Sequence, residues 1–193
     1  MAGAVVAGLG NPGARYAATR HNIGFLILER FVAGQGGTWG PVDHGVRTAR
    51  VSLGANELIL AEPQLFMNRS GPPLAELLER EALAPESMLV IHDDLDLEAG
   101  RLQLKRSGGT GGHRGLDSII ESLGTDVFPR LRAGIGRPPE AVAVVDFVLE
   151  PYSAPELEEI SETITAGVGA IEAWGESGTE SAMNIVNVRR KAP

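Results

Sequence analysis

The sequence predicts an α/β fold: a single three-layer domain in which a mixed β-sheet is flanked by helices. Three observations carry that expectation. Strand-like runs interleave with helical patterns along most of the chain. Two of the strands are joined by a short Gly-Ala-Asn turn at residues 54 to 56, a hairpin that makes the sheet mixed. The 193 residues, 43% hydrophobic and 22% charged, are enough for one packed core, and no repeat, low-complexity tract or linker divides them, so residues 1–193 read as one domain.

Taken in order, "AVVAGL" is a continuous apolar run of strand length. "HNIGFLILERFV" reads as a helix with Ile23, Leu26, Ile27 and Phe31 on one side. "TARVSL" and "ELILAEP" are the two hairpin strands. After "FMNRSGPP" comes a helix marked by Leu74, Leu77 and Leu78, with Pro72 and Pro73 in its opening turn, where proline is tolerated. "SMLVIHDDLDL" is a strand running into an acidic loop, and "RLQLK" is another strand. The glycine-rich "SGGTGGHRG" precedes a helix carrying Leu116, Ile119, Ile120 and Leu123. "RLRAGIG" and "VDFVL" read as the last strand segments. Leu157, Ile160, Ile164, Val168, Ile171 and Trp174 mark a long amphipathic C-terminal helix.

Composition narrows the chemistry. With no cysteine, disulfides, thiol nucleophiles and thiolate zinc sites are excluded, which allows a reducing cytoplasm without requiring it. No apolar run is long enough to span a bilayer, and strand-like residues run straight into a glycine loop with no basic residue before Arg15, so neither a membrane span nor a signal peptide is expected. The net charge of −8 conceals an uneven distribution. Residues 101–137 hold seven basic side chains (Arg101, Lys105, Arg106, Arg114, Arg130, Arg132, Arg137) against three acids, whereas residues 138–188 hold ten acids and no Lys or Arg. That asymmetry is either an unevenly charged surface or a basic face for phosphates.

Four clusters are candidates for function. In "GLGNPG", Gly8, Gly10 and Gly13 have the G-x-G-x-x-G spacing of a dinucleotide loop. Pro12 inside the motif, and "GARYAATR" before the helical pattern begins, argue instead for a tight strand-to-loop turn. Asn11, Tyr16, Arg20, His21 and Asn22 follow within twelve residues; His21 is a potential general base near neutral pH or simply a residue of a helix start. "HDDLDL" closes a strand with His92, Asp93, Asp94 and Asp96, residue types that could orient an imidazole or ligate a divalent metal, though the spacing selects no metal. "SGGTGGHRG" lacks the G-K-[ST] ending of a nucleotide P-loop, but glycines before a helix can aim N–H groups at an anion. In "FMNRSG", Asn68 or Ser70 is either a helix cap or part of a site.

Together, "GLGNPGARYAATRHNIG" (8–24), "FMNRSG" (66–71), "HDDLDLEAGRLQLKRSGGTGGHRG" (92–115) and "FPRLRAGIGRP" (128–138) resemble the bacterial-type peptidyl-tRNA hydrolases, in that family's order and approximate separations. The resemblance implies a phosphorylase/hydrolase-like α/β fold. It implies a monomeric enzyme that needs no cofactor or metal and cleaves the ester between a peptide's C-terminus and the 3′ end of tRNA, recycling tRNA from prematurely released peptidyl-tRNA. By motif position His21 is similar to the catalytic base and Asp93 to its supporting carboxylate. Asn11 and Asn68 match positions that hold the peptide main chain, while Tyr16, Phe66, Met67 and His113 match the substrate groove. On this reading Arg101, Lys105, Arg106, Arg114, Arg132 and Arg137 would face tRNA phosphates, with binding that weakens as salt rises. The alternative is a non-catalytic RNA-binding relative on the same scaffold. One departure stands out: the family usually reads G-H-N-G where this chain has "GHRG", so Arg114 replaces an asparagine. Arginine accepts no hydrogen bond but grips a phosphate bidentately, so Arg114 either exchanges the asparagine's contact for one to the tRNA backbone or marks weakened activity. The basic residues of "NVRRKAP" are assigned either to tRNA contact or to a frayed end.

Overall fold

The computed structural model describes residues 3–188. Its strands are β1 (Ala4–Gly8), β2 (Val42–Asp43), β3 (Val46–Leu53), β4 (Asn56–Pro63), β5 (Met88–Asp94), β6 (Leu102–Lys105) and β7 (Arg130–Gly134). Its helices are α1 (Ile23–Gly34), α2 (Gly71–Arg80), α3 (Arg114–Leu123), α4 (Val144–Leu149) and α5 (Ala154–Val186). The seven strands form one mixed sheet in the order β2-β3-β4-β1-β5-β7-β6. The four central strands, β4, β1, β5 and β7, are parallel, and each edge is finished by antiparallel pairing.

The centre of the sheet follows from the most apolar run. Every residue of β1 is buried, and the period-2 alternation of a strand sends Ala4 and Val6 to one face and Val5 and Ala7 to the other. On the first face they join Ile23, Ile27, Leu28 and Phe31 of α1 and Ile164, Ile171 and Trp174 of α5. On the second they join Leu74, Leu77 and Leu78 of α2 and Leu116 and Ile119 of α3. Both faces are therefore covered, which makes a three-layer single α/β domain. No helix among the described residues is long and apolar enough to cross a membrane.

Two expectations are corrected, and one strand is additional to those the sequence predicts. "VDFVL" lies in the one-and-a-half-turn helix α4, not a strand. Its valines favour extended structure intrinsically, but Arg20 donates to the carbonyls of Phe147 and Glu150, and Val148 is buried, so tertiary contacts decide. Leu157 is 45% exposed, because the buried stripe of α5 starts only at Ile160. The short edge strand β2 lies in a segment without a strand pattern. Arg189, Arg190 and Lys191 of the basic C-terminus lie outside the described residues.

Candidate active site

The carboxyl ends of β1 and β5 are adjacent, because the two strands pair in parallel with Gly8 opposite Ile91. Chain leaving them converges, and this is where ligands gather in open parallel sheets. The loop after β1 brings Asn11 and Tyr16, a one-turn 3-10 helix at Arg20–Asn22 brings His21, and β5 itself brings His92 and Asp93. With the Phe66–Asn68 segment, the loop 107–112 and the first residues of α3, they line a cleft of about 470 Å³.

At its floor a single carboxylate oxygen serves two imidazoles. Asp93 Oδ1 lies 2.8 Å from His21 Nδ1 and 2.9 Å from His113 Nε2, and the Asp93 side chain is 3% exposed. His113 Nδ1 accepts from the backbone N–H groups of Gly115 and Leu116, capping α3, so its ring proton is on Nε2 and is donated to Asp93. Burial pushes the Asp93 carboxyl up, but interaction with His113 and then His21 outweighs this and holds it well below the usual carboxylate range. His21 likewise donates Nδ1–H to Asp93, which leaves Nε2 as the lone-pair nitrogen of the ring. His21, Asp93 and His113 are also the group that could gather around a cation. The His113 tautomer opposes that use, since a ring nitrogen that carries a proton offers no lone pair.

Behind these groups His92 is fully buried and donates Nδ1–H to the Asp93 carbonyl at 2.7 Å. Burial, helped by His113, lowers its pKa to about 3, so it stays neutral and serves as packing and a hydrogen-bond donor.

Asn11 is held from both sides. Its backbone N–H donates to Asn22 Oδ1 at 2.9 Å, and Asn22 Nδ2 donates back to its carbonyl at 2.9 Å. The Asn11 side-chain oxygen accepts the N–H of Met67 at 2.8 Å, which leaves the carboxamide NH2 as the group available to a ligand. Asn68 is exposed on the cleft wall, and Ser70 Oγ donates to the Met67 carbonyl instead of capping α2. Tyr16 and Phe66 meet edge-on with ring centroids 6.4 Å apart at the mouth, where Phe66 is 58% exposed.

The basic residues divide. Lys105, Arg114, Arg132 and Arg137 line the cleft, whereas Arg101 lines a separate groove among Glu98, Glu158, Glu159 and Glu162, and Arg106 pairs with Glu180. Arg132 is tied to Asp94 at 2.7 Å and Arg137 to Asp96. Among the described residues no carboxylate is paired with Lys105 or with Arg114, the first residue of α3. The N–H groups of Gly115 and Leu116 are taken by His113, so that helix end is not the open anion site its glycines suggested.

The sequence puts Arg20 and Asn22 in the polar cluster around His21 and Arg130 in the basic run, but assigns none of the three a role. The first two stand beside His21 in "TRHN", and that adjacency was the available signal. Arg130 is indistinguishable in sequence from its exposed basic neighbours.

The peptidyl-tRNA hydrolase family matches this chain over residues 5–193. A peptidyl-tRNA hydrolase of Moorella thermoacetica is 46% identical over 184 residues, covering 95% of this chain and 97% of the relative. A crystal structure of peptidyl-tRNA hydrolase from Acinetobacter baumannii superposes with a TM-score of 0.90 at 33% identity, over 96% of this chain and 94% of that one. A purine nucleoside phosphorylase of Toxoplasma gondii has a TM-score of 0.51 at 8% identity, over 97% of this chain and 92% of that one, a likeness of fold alone.

Proposed function

The chain belongs to the peptidyl-tRNA hydrolase family, and from that premise we propose that His21 and Asp93 carry its hydrolysis of the ester between a peptide's C-terminus and the 3′ end of tRNA. The activity recycles tRNA from prematurely released peptidyl-tRNA. The observation that carries the residue assignment is the His21–Asp93 pair at 2.8 Å, with His21 at the cleft and Asp93 beneath it.

Each step uses a group already in place. His21 Nε2 takes a proton from water as the water oxygen attacks the ester carbonyl. Asp93, held ionised by its two imidazole partners, stabilises the imidazolium that forms and fixes its tautomer. The NH2 of Asn11 donates to the carbonyl oxygen of the peptide or to the developing oxyanion, and Asn68, next to the Met67 that Asn11 holds, binds the peptide main chain. The tetrahedral intermediate collapses with the ribose oxygen as leaving group, protonated by the imidazolium. An ester has a better leaving group than an amide, so no covalent intermediate, metal or cofactor is required.

Contacts to main-chain groups suit a substrate whose side chains vary. A free aminoacyl ester lacks the preceding peptide bond and carries a charged amine, so it forfeits them. Tyr16, Phe66 and Met67 form the apolar side of the groove, and His113 orients Asp93. Lys105 and Arg114 take tRNA phosphates, with Arg132 and Arg137 next to them. We assign the enzyme to the cytoplasm, as a monomer, a state that light scattering would report.

The test is release of N-acetyl-amino acid from N-acetyl-aminoacyl-tRNA, with unblocked aminoacyl-tRNA and His21→Ala as controls. Selective cleavage of the blocked ester that His21→Ala abolishes is the expected result. Equal cleavage of both esters would refute the role of Asn11 and Asn68, and an active His21→Ala enzyme would refute the base.

A further inference from the structure

Arg130 differs in kind from the other cations of the cleft. It is the first residue of β7, 1% exposed, and among the described residues its side chain is paired with no carboxylate. Its fork donates to two main-chain carbonyls, those of Gly109 at 3.0 Å and Asp126 at 3.1 Å. Its Nε is buried with no partner, and its guanidinium lies 4.4 Å from the centre of the Phe128 ring. Burial lowers its pKa; Asp126 opposes this from beyond pairing distance and Arg132 adds to it. A cation withdrawn from water is costly unless an anion compensates it, and here the protein supplies none at pairing distance.

The carbonyl of Gly109 belongs to the loop 107–112, which joins Lys105 at the end of β6 to His113 and Arg114 at the start of α3. That loop has little packing of its own: a side chain added at Gly108, Gly109, Gly111 or Gly112 would meet nothing within 4 Å. Its exposed wall is flanked by Lys105 and Arg114, and Arg130 lies against it at Gly109. Three cations without a paired carboxylate therefore converge on one glycine-rich segment of the cleft.

We propose that Arg130 is a positioning residue for the nucleic-acid part of the substrate: it tethers the 107–112 loop and supplies a fixed buried charge that a tRNA phosphodiester compensates. The proposal rests on the reading of this cleft as the peptidyl-tRNA site. A residue that was merely structural would lose stability on replacement, through the two main-chain hydrogen bonds it makes, and would leave tRNA binding unchanged. Gly109 is exposed, so water can satisfy its carbonyl once the fork is gone. A residue that acts through its charge would leave stability largely intact and weaken tRNA binding.

The experiment compares the parent enzyme, Arg130→Met and Arg130→Lys. It measures melting temperature, the Kd for deacylated tRNA across a salt series, and KM and kcat for N-acetyl-aminoacyl-tRNA. Arg130→Met is expected to melt near the parent and to raise both Kd and KM about tenfold at low salt, the effect of one unit charge at short range. Its kcat should stay within about threefold, and the slope of log K against log salt should fall by about one. Arg130→Lys, which keeps the charge and loses the fork, should recover most of the Kd and the slope. A Met variant that binds within about twofold of the parent with an unchanged slope overturns the proposal, as does a Lys variant no better than Met. Should Met fail to fold, Arg130→Gln replaces it; an unfolded Gln variant also overturns the proposal, since the cation is then a requirement of the fold. A parent that neither binds tRNA nor cleaves the blocked ester sinks the reading of the cleft itself, an outcome separable from all of these.

Discussion

Asp93→Asn isolates the charge of the carboxylate from its geometry. Both imidazoles donate to the same oxygen, Oδ1, at 2.8 and 2.9 Å. An asparagine in the same rotamer can keep both hydrogen bonds with its carbonyl oxygen while its NH2 takes the place of Oδ2. The ground state, with neutral His21, then loses little. The transition state, in which His21 becomes an imidazolium, loses the attraction of a full negative charge about 4 Å away, roughly 4 kcal/mol at the effective dielectric of a partly buried site. At about 1.4 kcal/mol per factor of ten this is a fall in kcat of two to three orders of magnitude. KM should change little, since Asp93 is buried beneath the two histidines. The assay is single-turnover hydrolysis of N-acetyl-aminoacyl-tRNA with enzyme in excess, with circular dichroism verifying the fold. A loss of less than about fivefold in a folded variant would refute the claim that Asp93 acts through its charge, and a KM effect with kcat intact would relocate it to substrate binding.

Two further perturbations probe the surroundings. Asn22→Ala removes both side-chain bonds that clamp the Asn11 backbone, leaving a buried N–H unpaired; it should cost about 1–3 kcal/mol of stability and lower kcat/KM by about one order of magnitude or more. A stability loss with kcat/KM unchanged well below the melting temperature would show that Asn22 does not position Asn11. On β4 Glu62 is fully buried against Arg47, and burial, only partly opposed by Arg47, pushes its pKa up to about 7. A raised carboxyl binds its proton more tightly in the folded state, so its contribution is greatest below the unfolded value of 4.5 and is lost as pH climbs from there through about 7. Glu62→Gln should therefore raise stability at pH 8, by at most about 3 kcal/mol at 1.36 kcal/mol per unit, and flatten the pH dependence of melting over that interval. A Gln variant less stable than the parent at pH 8 would mean that the Arg47 pair outweighs the burial.

The layers of the fold were legible because their signals are local: the apolar run of β1, the glycine turn of the hairpin, and leucines at helical spacing in α2 and α3. Helix α4 was not, since six residues rich in valine become helical through bonds from Arg20, far away in sequence. The site was legible as a set of residues and not as an arrangement. Pairing of β1 with β5 brings His21 within hydrogen-bonding distance of a carboxylate 72 residues away. Nothing in "HDDLDL" or "GGHRG" reveals that one oxygen of Asp93 receives two rings, or that His113 caps a helix with its other nitrogen. Charge was the least legible property. Seven basic residues between 101 and 137 fitted either a basic face or an unevenly charged surface; two of them are paired with Asp94 and Asp96, one with Glu180, and one is buried.

The glycine spacing near the N-terminus shows how a motif and its mechanism come apart. In a dinucleotide loop the glycines bring a helix N-terminus to a pyrophosphate. Here they have other duties. A Cβ on Gly8 would lie 2.6 Å from the carbonyl oxygen of Gly24, and one on Gly10 would lie 2.7 Å from the Phe25 ring, so both permit the first turn of α1 to press against the end of β1. Gly13 has φ +99 with open space around it, and serves the turn alone. That close approach buries the beginning of α1 against the sheet: Gly24 in turn would collide with Leu9 and with the carbonyl of Ile91. A helix start packed against the β1–β5 junction has no room to receive a phosphate. What the packing does instead is fix the 3-10 turn immediately before α1, and with it His21, at the carboxyl end of β5. Gly8 and Gly10, two of the glycines that imitate a cofactor loop, thus help to set where the imidazole meets Asp93.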